Sequence, residues 1–319
     1  MLKYLIRRLL LTIVTIFGVT VVIFLAMRVL PGDPLAMIYG EATGIYVLTD
    51  EEVQAARASL GLDKPLIVQY LSWMADVFKG DLGYSFWDDK PIRETILRRG
   101  PITAEIALLA VLLSWVIGVP VGVISAMKRK SLLDNVLRFL VTLFMAIPSF
   151  WLGLTMILLT VTLFNWRPSL TIVQFWEDPG RNLSMVLGPA IAIGIAIAAI
   201  IARMTRSTVL EVLGEDYVRT ARAKGLGERL TVMRHVLKNA MLPVVTLSGL
   251  ALAGLLGGSV AVERAFGFPG LGMALAQGAV ERDWMMVQNL TLLFAVIFVF
   301  INLAIDILYA WIDPRIRYE

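Results

Sequence analysis

The sequence predicts an all-α membrane protein with six transmembrane helices. Of its 319 residues, 58% are apolar and only 17% are charged, and the mean hydropathy is +0.77. Soluble domains carry roughly a quarter charged residues, so much of this surface must face something other than water. The apolar residues are collected in six uncharged runs, and about 20 helical residues suffice to cross a hydrocarbon layer.

The six runs are each long enough for one crossing. In chain order they are Leu9–Met27, Ile106–Met127, Phe139–Trp166, Asn182–Ala202, Asn239–Val262 and Trp284–Ile305. They are continuously apolar and do not alternate in polarity, which favours helices over the strands of a membrane barrel. The first run follows Lys3, Arg7 and Arg8 like the start of a signal peptide. It is too long for one and lacks a small-residue cleavage site, so we expect a retained anchor.

The positions of lysine and arginine predict the orientation. If the N-terminus is cytoplasmic, the inside segments hold 17 of the 29 basic residues, and acidic residues outnumber basic ones in the long outside segment 31–100. Short basic loops stay in the cytoplasm. We therefore expect both termini to be cytoplasmic. The basic excess then reflects topology and attraction to anionic lipid, not nucleic-acid binding. The chain has no cysteine, so disulfides are excluded.

The outside segment, residues 31–101, is predicted to be a helical cap. Thr49 and Glu52 form a capping box for a helix that ends at Gly61. A second helix begins at Pro65 and ends at Gly80, and a third spans Pro91 to Gly100. The second helix carries one apolar stripe, made of Ile67, Tyr70, Leu71, Met74, Val77 and Phe78. Either the cap packs on the helix bundle or it docks an external partner, and the pattern leaves both open.

The inside segment between the fourth and fifth runs, about 205–240, is too polar to span. Glycines divide it into two predicted helices, Tyr217–Lys224 and Glu228–Asn239. Asp216 can cap the first, and Gly225 can adopt the left-handed conformation that ends it. Such helices can lie on the lipid surface or insert into a soluble partner.

Motifs of catalysis are missing from the sequence. There is no phosphate-binding G-x-x-x-x-G-K-[ST] loop, and the single histidine, His235, cannot form a histidine-based zinc cluster. None of the candidate serines Ser114, Ser149, Ser248 and Ser259 stands in a G-x-S-x-G context. We therefore expect no catalytic residue and no metal site in this chain.

Two further features of the spans have structural interpretations. Asp306 is an ionisable residue in an apolar helix, and its position near the inner end favours an ion pair at the interface over substrate contact. Four glycines in the spans are expected to be sites of close helix packing: Gly18, Gly118, Gly153 and Gly194.

The inside segment carries the strongest resemblance to a known family. Residues 214–226 read GEDYVRTARAKGL, and His235, Asn239 and the pair 242–243 follow. Further matching motifs are LPGDP at 30–34, LGLDKP at 60–65, GDLG at 80–83, FPGLG at 268–272 and DPRIR at 313–317. The chain resembles the inner-membrane permease subunits of binding-protein-dependent ABC importers, in particular the first permease of the dipeptide and oligopeptide group.

The resemblance implies a type I importer fold and a role for the inside segment. It is similar to the family's coupling loop, which docks in a groove on a cytoplasmic ATPase. The family pattern is E-A-A, three residues, then Gly. Aligned on Gly225, this chain has Arg219, Thr220 and Ala221 at the first three positions, so the glutamate is absent here. The implied coupling residues are Glu215, Asp216, Tyr217, Arg219, Thr220, Ala221, Arg222, Ala223, Lys224, Gly225, His235 and Asn239.

The resemblance also implies partners and a location. These partners are a second, homologous permease, two cytoplasmic P-loop ATPases that hold ATP and magnesium, and an extracytoplasmic peptide-binding protein. The location is the prokaryotic inner membrane. Residues 1–30 are then the cytoplasmic N-terminus and the first span, 31–101 the extracytoplasmic helical segment, and 102–319 the permease core with the other five spans. The cargo is left open among dipeptides, longer peptides, glutathione and nickel chelates. A nucleotide-independent channel or carrier, and a scaffold without transport, are the alternative classes.

Overall fold

The computed structural model describes residues 2–29, 51, 54, 58, 61–165, 171–257 and 259–312. In these residues the regular elements are helices, apart from one isolated bridge between Tyr84 and Pro91. We number the helices α1 (Leu2–Val29), α2 (Leu66–Lys79), α3 (Ile92–Met127), α4 (Leu132–Ala146), α5 (Ser149–Phe164), α6 (Pro179–Val212), α7 (Asp216–Ala223), α8 (Glu228–Leu256), α9 (Val260–Phe266), α10 (Leu271–Val280) and α11 (Trp284–Ile312). The predicted all-α membrane fold is confirmed.

Five described helices, α1, α3, α6, α8 and α11, are each long and apolar enough to cross a membrane. The third predicted span, Phe139–Trp166, is not one straight helix. It is built from α4 and α5, which meet at an angle of 98° around Ile147 and Pro148. Pro148 has no N–H to donate and disfavours helical geometry at the residue before it. Six crossings are reached when this bent pair counts as one.

The centre of the molecule is the pair α3 and α6, whose backbones approach closely. A Cβ on Gly118 would lie 2.6 Å from the carbonyl oxygen of Ala198, and one on Gly122 would lie 2.6 Å from that of Ala202. A Cβ on Gly194 would lie 3.1 Å from the Ala110 carbonyl oxygen. The buried apolar core lies between these helices, α8 and α9.

The other two glycines predicted to be sites of close packing, Gly153 and Gly18, differ from each other in their surroundings. A Cβ on Gly153 of α5 would lie 2.6 Å from the ring of Phe266, so this prediction is confirmed, and Gly188 of α6 meets the same ring. Among the residues that the structure describes, no atom lies within 4 Å of a Cβ built on Gly18 of α1, so for this residue the packing prediction is wrong. The ring of Phe266 in α9 therefore packs against both α5 and α6, where Gly153 and Gly188 leave room for it.

The outer segment differs from prediction in two ways. The helix predicted for residues 91–100 does not end at Gly100 but runs on through Pro101 to Met127 as α3, so the boundary at residue 101 falls inside a continuous helix. The stripe on α2 is also divided. Tyr70, Met74 and Val77 pack towards α1 and α11 around the buried Trp73, whereas three other members of the stripe are exposed: Ile67, Leu71 and Phe78.

Hydrogen bonds fasten α2 to the bundle. The hydroxyls of Thr20 and Tyr70 lie 2.8 Å apart, and the indole N–H of Trp73 donates to Asn289 at 3.2 Å. The ends of α2 follow the predicted pattern, because Pro65 precedes its first residue and Gly80 follows its last at a φ of 80°. Packing of α2 on the bundle is thus observed. The capping box at Thr49 and Glu52 lies outside the described residues.

At the opposite end, Asp306 of α11 forms an ion pair with Arg8 of α1 at 2.5 Å. This confirms the predicted pairing of Asp306. The motifs at residues 30–34 and 313–317 lie outside the described part of the chain.

Candidate functional site

The candidate site is the coupling segment, defined here as residues 215–239. It begins with α7, a helix of eight residues whose first residue is Asp216. Glu215 is the N-cap residue, and its side chain makes no capping hydrogen bond. The prediction that Asp216 caps this helix is therefore wrong: its carboxylate pairs with Arg219, one turn further along.

Gly225 ends α7 as predicted, with a φ of 82°. Its N–H donates to the carbonyl oxygen of Arg222 at 2.9 Å, and the N–H of Leu226 donates to that of Ala221 at 3.3 Å. This pair of bonds is the Schellman arrangement, which requires a left-handed residue and therefore favours glycine. A Cβ on Gly225 would have open space around it, so a substitution there is opposed by backbone geometry and not by contacts.

The second predicted inner helix, Glu228–Asn239, is not a separate element. It starts as Glu228–Thr231, passes through one π-helical turn, Val232–Val236, and continues as Leu237–Leu256. The three pieces form the single long helix α8. The fifth span is thus a direct continuation of the coupling segment.

Val218 anchors α7 to the ends of the spans. Its side chain is fully buried and packs in a cluster with Ala126 of α3, Val209 of α6 and Val236 and Ala240 of α8. Burying a valine side chain stabilises the folded state by about 1.5 to 3 kcal/mol relative to leaving it exposed. Sequence reasoning missed Val218, although it is the apolar residue in the middle of a polar helix, the signal that marks a buried face.

The predicted coupling residues divide between two faces of α7. Ala221 is buried beside Val218, whereas the other members on this helix are exposed: Asp216, Tyr217, Arg219, Thr220, Arg222 and Ala223. Lys224 and Gly225, which follow the helix, are exposed as well. The helix is therefore fixed by its apolar face and presents a continuous polar face.

Two residue pairs connect α7 to α8, Tyr217 with Asn239 and Arg222 with Glu228. The Asn239 side-chain amide donates to the hydroxyl of Tyr217 at 2.7 Å and to the carbonyl oxygen of His235 at 3.4 Å. Arg222 donates to both carboxylate oxygens of Glu228, at 3.0 and 2.6 Å, and this carboxylate raises the pKa of Arg222. Tyr217, Asn239 and His235 are thus brought together, and Arg222 closes the turn around Gly225.

A buried ion pair joins the inner ends of α3, α4 and α6 near α7, and sequence reasoning missed it. Asp134 of α4 is 1% exposed and binds Arg206 of α6 through both oxygens, at 3.0 and 2.9 Å. The Ser125 hydroxyl of α3 donates to Asp134 at 2.6 Å. The network joins the inner ends of three helices. Its sequence signal is weak: Asp134 stands three residues after Ser131, whose side chain caps α4.

Comparison with known proteins identifies the family. The family described as binding-protein-dependent transport system inner membrane component matches residues 118–318, and its N-terminal companion matches residues 1–107. The dipeptide transport system permease protein DppB of Escherichia coli (strain K12) is 37% identical over all of both chains. A putative peptide transport system permease protein of Brucella abortus (strain 2308) is 39% identical over 94% of both chains.

Solved structures agree on the fold. An inward-facing MetNI methionine ABC transporter structure contains a chain that is 23% identical, with a TM-score of 0.53, over 69% of this chain and 96% of that one. At this identity the likeness concerns the fold. Together with the two family matches, which cover most of the sequence, it places the chain among helical importer permeases. The chain belongs to the family of binding-protein-dependent transport system inner membrane components.

Proposed function

We propose that this chain is a transmembrane permease subunit of an ATP-driven importer for dipeptides or oligopeptides. It forms half of the translocation pathway. The relatives named for dipeptide and peptide transport match it over its length, which supports this cargo class. The second half is a homologous permease, and an extracytoplasmic peptide-binding protein delivers the cargo.

The coupling segment transmits the motion of a cytoplasmic P-loop ATPase. The observation that carries this proposal is the placement of α7, which is seated by Val218 on the ends of three spans while its polar face is free. A docked ATPase contacts that polar face, in particular Tyr217, Arg219 and Lys224. ATP and magnesium belong to the two ATPase subunits, and this chain holds no cofactor.

Transport follows from a population shift. ATP binds more tightly to the closed pair of ATPases than to the open pair, and this difference in affinity biases the equilibrium. Closure moves α7 as a rigid body, and the continuous helix α8 passes the movement into the membrane, so the cavity switches between inward-open and outward-open. The protein lies in the prokaryotic inner membrane with both termini in the cytoplasm.

Gly225→Asp tests the coupling role. A side chain at this φ costs roughly 1 kcal/mol, and the added carboxylate projects from the docking face. We expect the variant to insert normally, to lose most copurifying ATPase and to lose peptide uptake. The measurements are pull-down of the ATPase subunits and uptake of a labelled dipeptide.

Gly80→Asp is the matched control. Gly80 has nearly the same φ, 80°, and equally open surroundings, but it follows α2 at the other end of the molecule. We expect this variant to keep its ATPase. If both variants lost the same amount of bound ATPase, the loss in Gly225→Asp would be explained by backbone strain alone and not by a disrupted docking face. Full transport by the wild-type chain alone in vesicles would favour a nucleotide-independent carrier and contradict the proposal.

A further inference from the structure

A basic cavity of about 500 Å³ opens near the inner ends of α3 and α6, beside the second half of α4. Arg138, Arg203 and Arg206 line it. Arg206 is neutralised by Asp134. Within the part of the chain that the structure describes, Arg138 and Arg203 have no carboxylate within 4 Å, and Arg203 has only a distant contact, 4.0 Å, to the sulfur of Met145. The cavity therefore offers two uncompensated positive charges.

An apolar cavity of about 330 Å³ continues from the basic one along the same three helices. Val121, Val141 and Ala202 line both cavities, so the two are contiguous. The far end of the apolar cavity is lined by Ile117 of α3 and Ile195 of α6, whereas along α4 the two cavities lie side by side. Ile195 lies 11 residues before Arg206 on α6, which is roughly 16 Å along a helix.

We propose that these two cavities hold one anionic phospholipid. Its phosphate lies between Arg138 and Arg203, and one acyl chain follows the apolar cavity. The depth fits, because Arg203 comes directly after the uncharged run that ends at Ala202 and thus lies at the level of the lipid headgroups. Basic pockets between spanning helices on the cytoplasmic side are a recurrent form of anionic-lipid site.

The shape of the site distinguishes a lipid from a small anion. Only an amphiphile satisfies both parts, because a free phosphate leaves the apolar cavity unfilled and a zwitterionic dipeptide places a charge or a peptide group in it. The lipid site is connected to α7 only through the helices on which α7 packs. Arg206 joins it to Ser125 and Asp134, and Ala202 and Arg203 are on the same helix as Val209, which packs on Val218. A bound lipid therefore tightens the junction of α3, α4 and α6.

The test measures lipid retention by the full chain. Purified protein in detergent receives dioleoyl phosphatidylglycerol or dioleoyl phosphatidylcholine, and native mass spectrometry counts the lipids that stay bound. We expect one phosphatidylglycerol to be retained in preference to phosphatidylcholine and to raise the thermal midpoint. The double variant Arg138→Gln/Arg203→Gln should weaken phosphatidylglycerol binding about fivefold for each charge removed and should abolish the preference.

The matched control is Lys128→Gln/Arg129→Gln. It removes two exposed basic residues from the adjacent loop, outside both cavities. We expect it to keep the preference, and an equal loss in both double variants would reduce the effect to general surface charge and overturn the site. Glycerol phosphate and a dipeptide serve as competitors. Displacement of the lipid by either one at comparable concentration would also overturn the proposal, because neither has an acyl chain.

This proposal stands apart from the transport function. Lipid retention is measured on the isolated chain without ATPase or cargo, so its failure leaves the coupling role of α7 untouched. Loss of ATPase binding in Gly225→Asp likewise leaves the lipid site untouched.

Discussion

Asp134 illustrates how one enclosed charge can hold three helices together. It accepts hydrogen bonds from Ser125, from the backbone N–H of Lys130 and from Arg206. Removing one partner of a buried ion pair costs far more than the pair contributes, because the remaining charge stays without compensation. The side chain of Arg206 is 23% exposed, so some of this cost is relieved by water.

Asp134→Asn should therefore lower the free energy of unfolding by about 3 kcal/mol. Asp76→Asn is the control, since Asp76 forms an exposed pair with Lys79 at 3.5 Å, and such pairs contribute at most about 1 kcal/mol. Thermal unfolding of the full chain in detergent measures both. Equal shifts of the unfolding midpoint in the two variants would show that the Asp134 network does not stabilise the junction of α3, α4 and α6.

Glu263 is a second enclosed carboxylate, located in α9 and 2% exposed. It accepts a hydrogen bond from the N–H of Met273 at 2.6 Å. Burial raises the pKa of Glu263, while hydrogen bonds from Met273 and Gly272 and the charge of Arg99 oppose the shift. The folded chain therefore binds this proton more tightly than the unfolded chain does.

The pH dependence follows from that difference. The contribution of Glu263 to stability is fully present below the ordinary glutamate pKa and is lost as the pH rises through the raised value. Glu263→Gln keeps an oxygen acceptor and has no proton to lose. As the pH rises from the ordinary glutamate pKa of about 4.3 through the raised pKa of Glu263, wild type should lose more stability than the variant does. Parallel unfolding midpoints across this range would contradict the assignment.

At the residue scale, prediction succeeded where the chemistry was local. The left-handed Gly225 followed from its sequence neighbours, whereas for Asp306 only the ion pair followed from its position along a helix, and its partner Arg8, which lies on another helix, was not predicted. Asp134 and Val218 were missed because their partners lie on other helices. A single sequence gives no signal for which helices meet.

Among the elements, α3 and α6 depend on glycine for their contact. A Cβ on Gly122 would lie 2.6 Å both from the Ala202 carbonyl oxygen and from the side chain of Thr205. A backbone oxygen cannot move aside without displacing its helix, so the two helices would separate. Small residues at such crossings let helix backbones approach in membranes.

Gly122→Ala should consequently destabilise the chain by about 1 to 3 kcal/mol through overpacking. Gly18→Ala, in α1, meets nothing within 4 Å and should be neutral or stabilising by up to about 1 kcal/mol. The thermal midpoints of the two variants provide the comparison. A stable Gly122→Ala protein would show that the helices can separate at little cost.

Element boundaries were harder to predict than element existence. Charge-free runs located the spans seen in the described residues, but they did not indicate the bend at Pro148 or the passage of α3 through Pro101. The same residue type breaks one helix and is tolerated in another. Likewise, glycines near residue 227 suggested two inner helices, and the second of these is the start of α8.

For the whole molecule, the absence of cysteine makes the orientation directly testable. Lys79→Cys places a thiol at the end of α2, and Lys128→Cys places one in the loop before α4, both at exposed positions. A membrane-impermeant maleimide added to intact spheroplasts should label Lys79→Cys and spare Lys128→Cys. Lysis should expose the second thiol. The reverse pattern would place the termini outside.

The continuity of α8 has a mechanical consequence. Its 29 residues, Glu228–Leu256, include one π-helical turn and Pro243, and at helical rise they extend over roughly 43 Å. Pivoting a helix of this length by about 10° at its cytoplasmic tip swings the opposite tip through roughly 7 Å, more than one helical pitch. Gly257 follows that tip, and the short helix that holds Glu263 begins three residues later. Under the coupling role proposed above, a small displacement at the inner surface would therefore become a larger displacement at the outer surface.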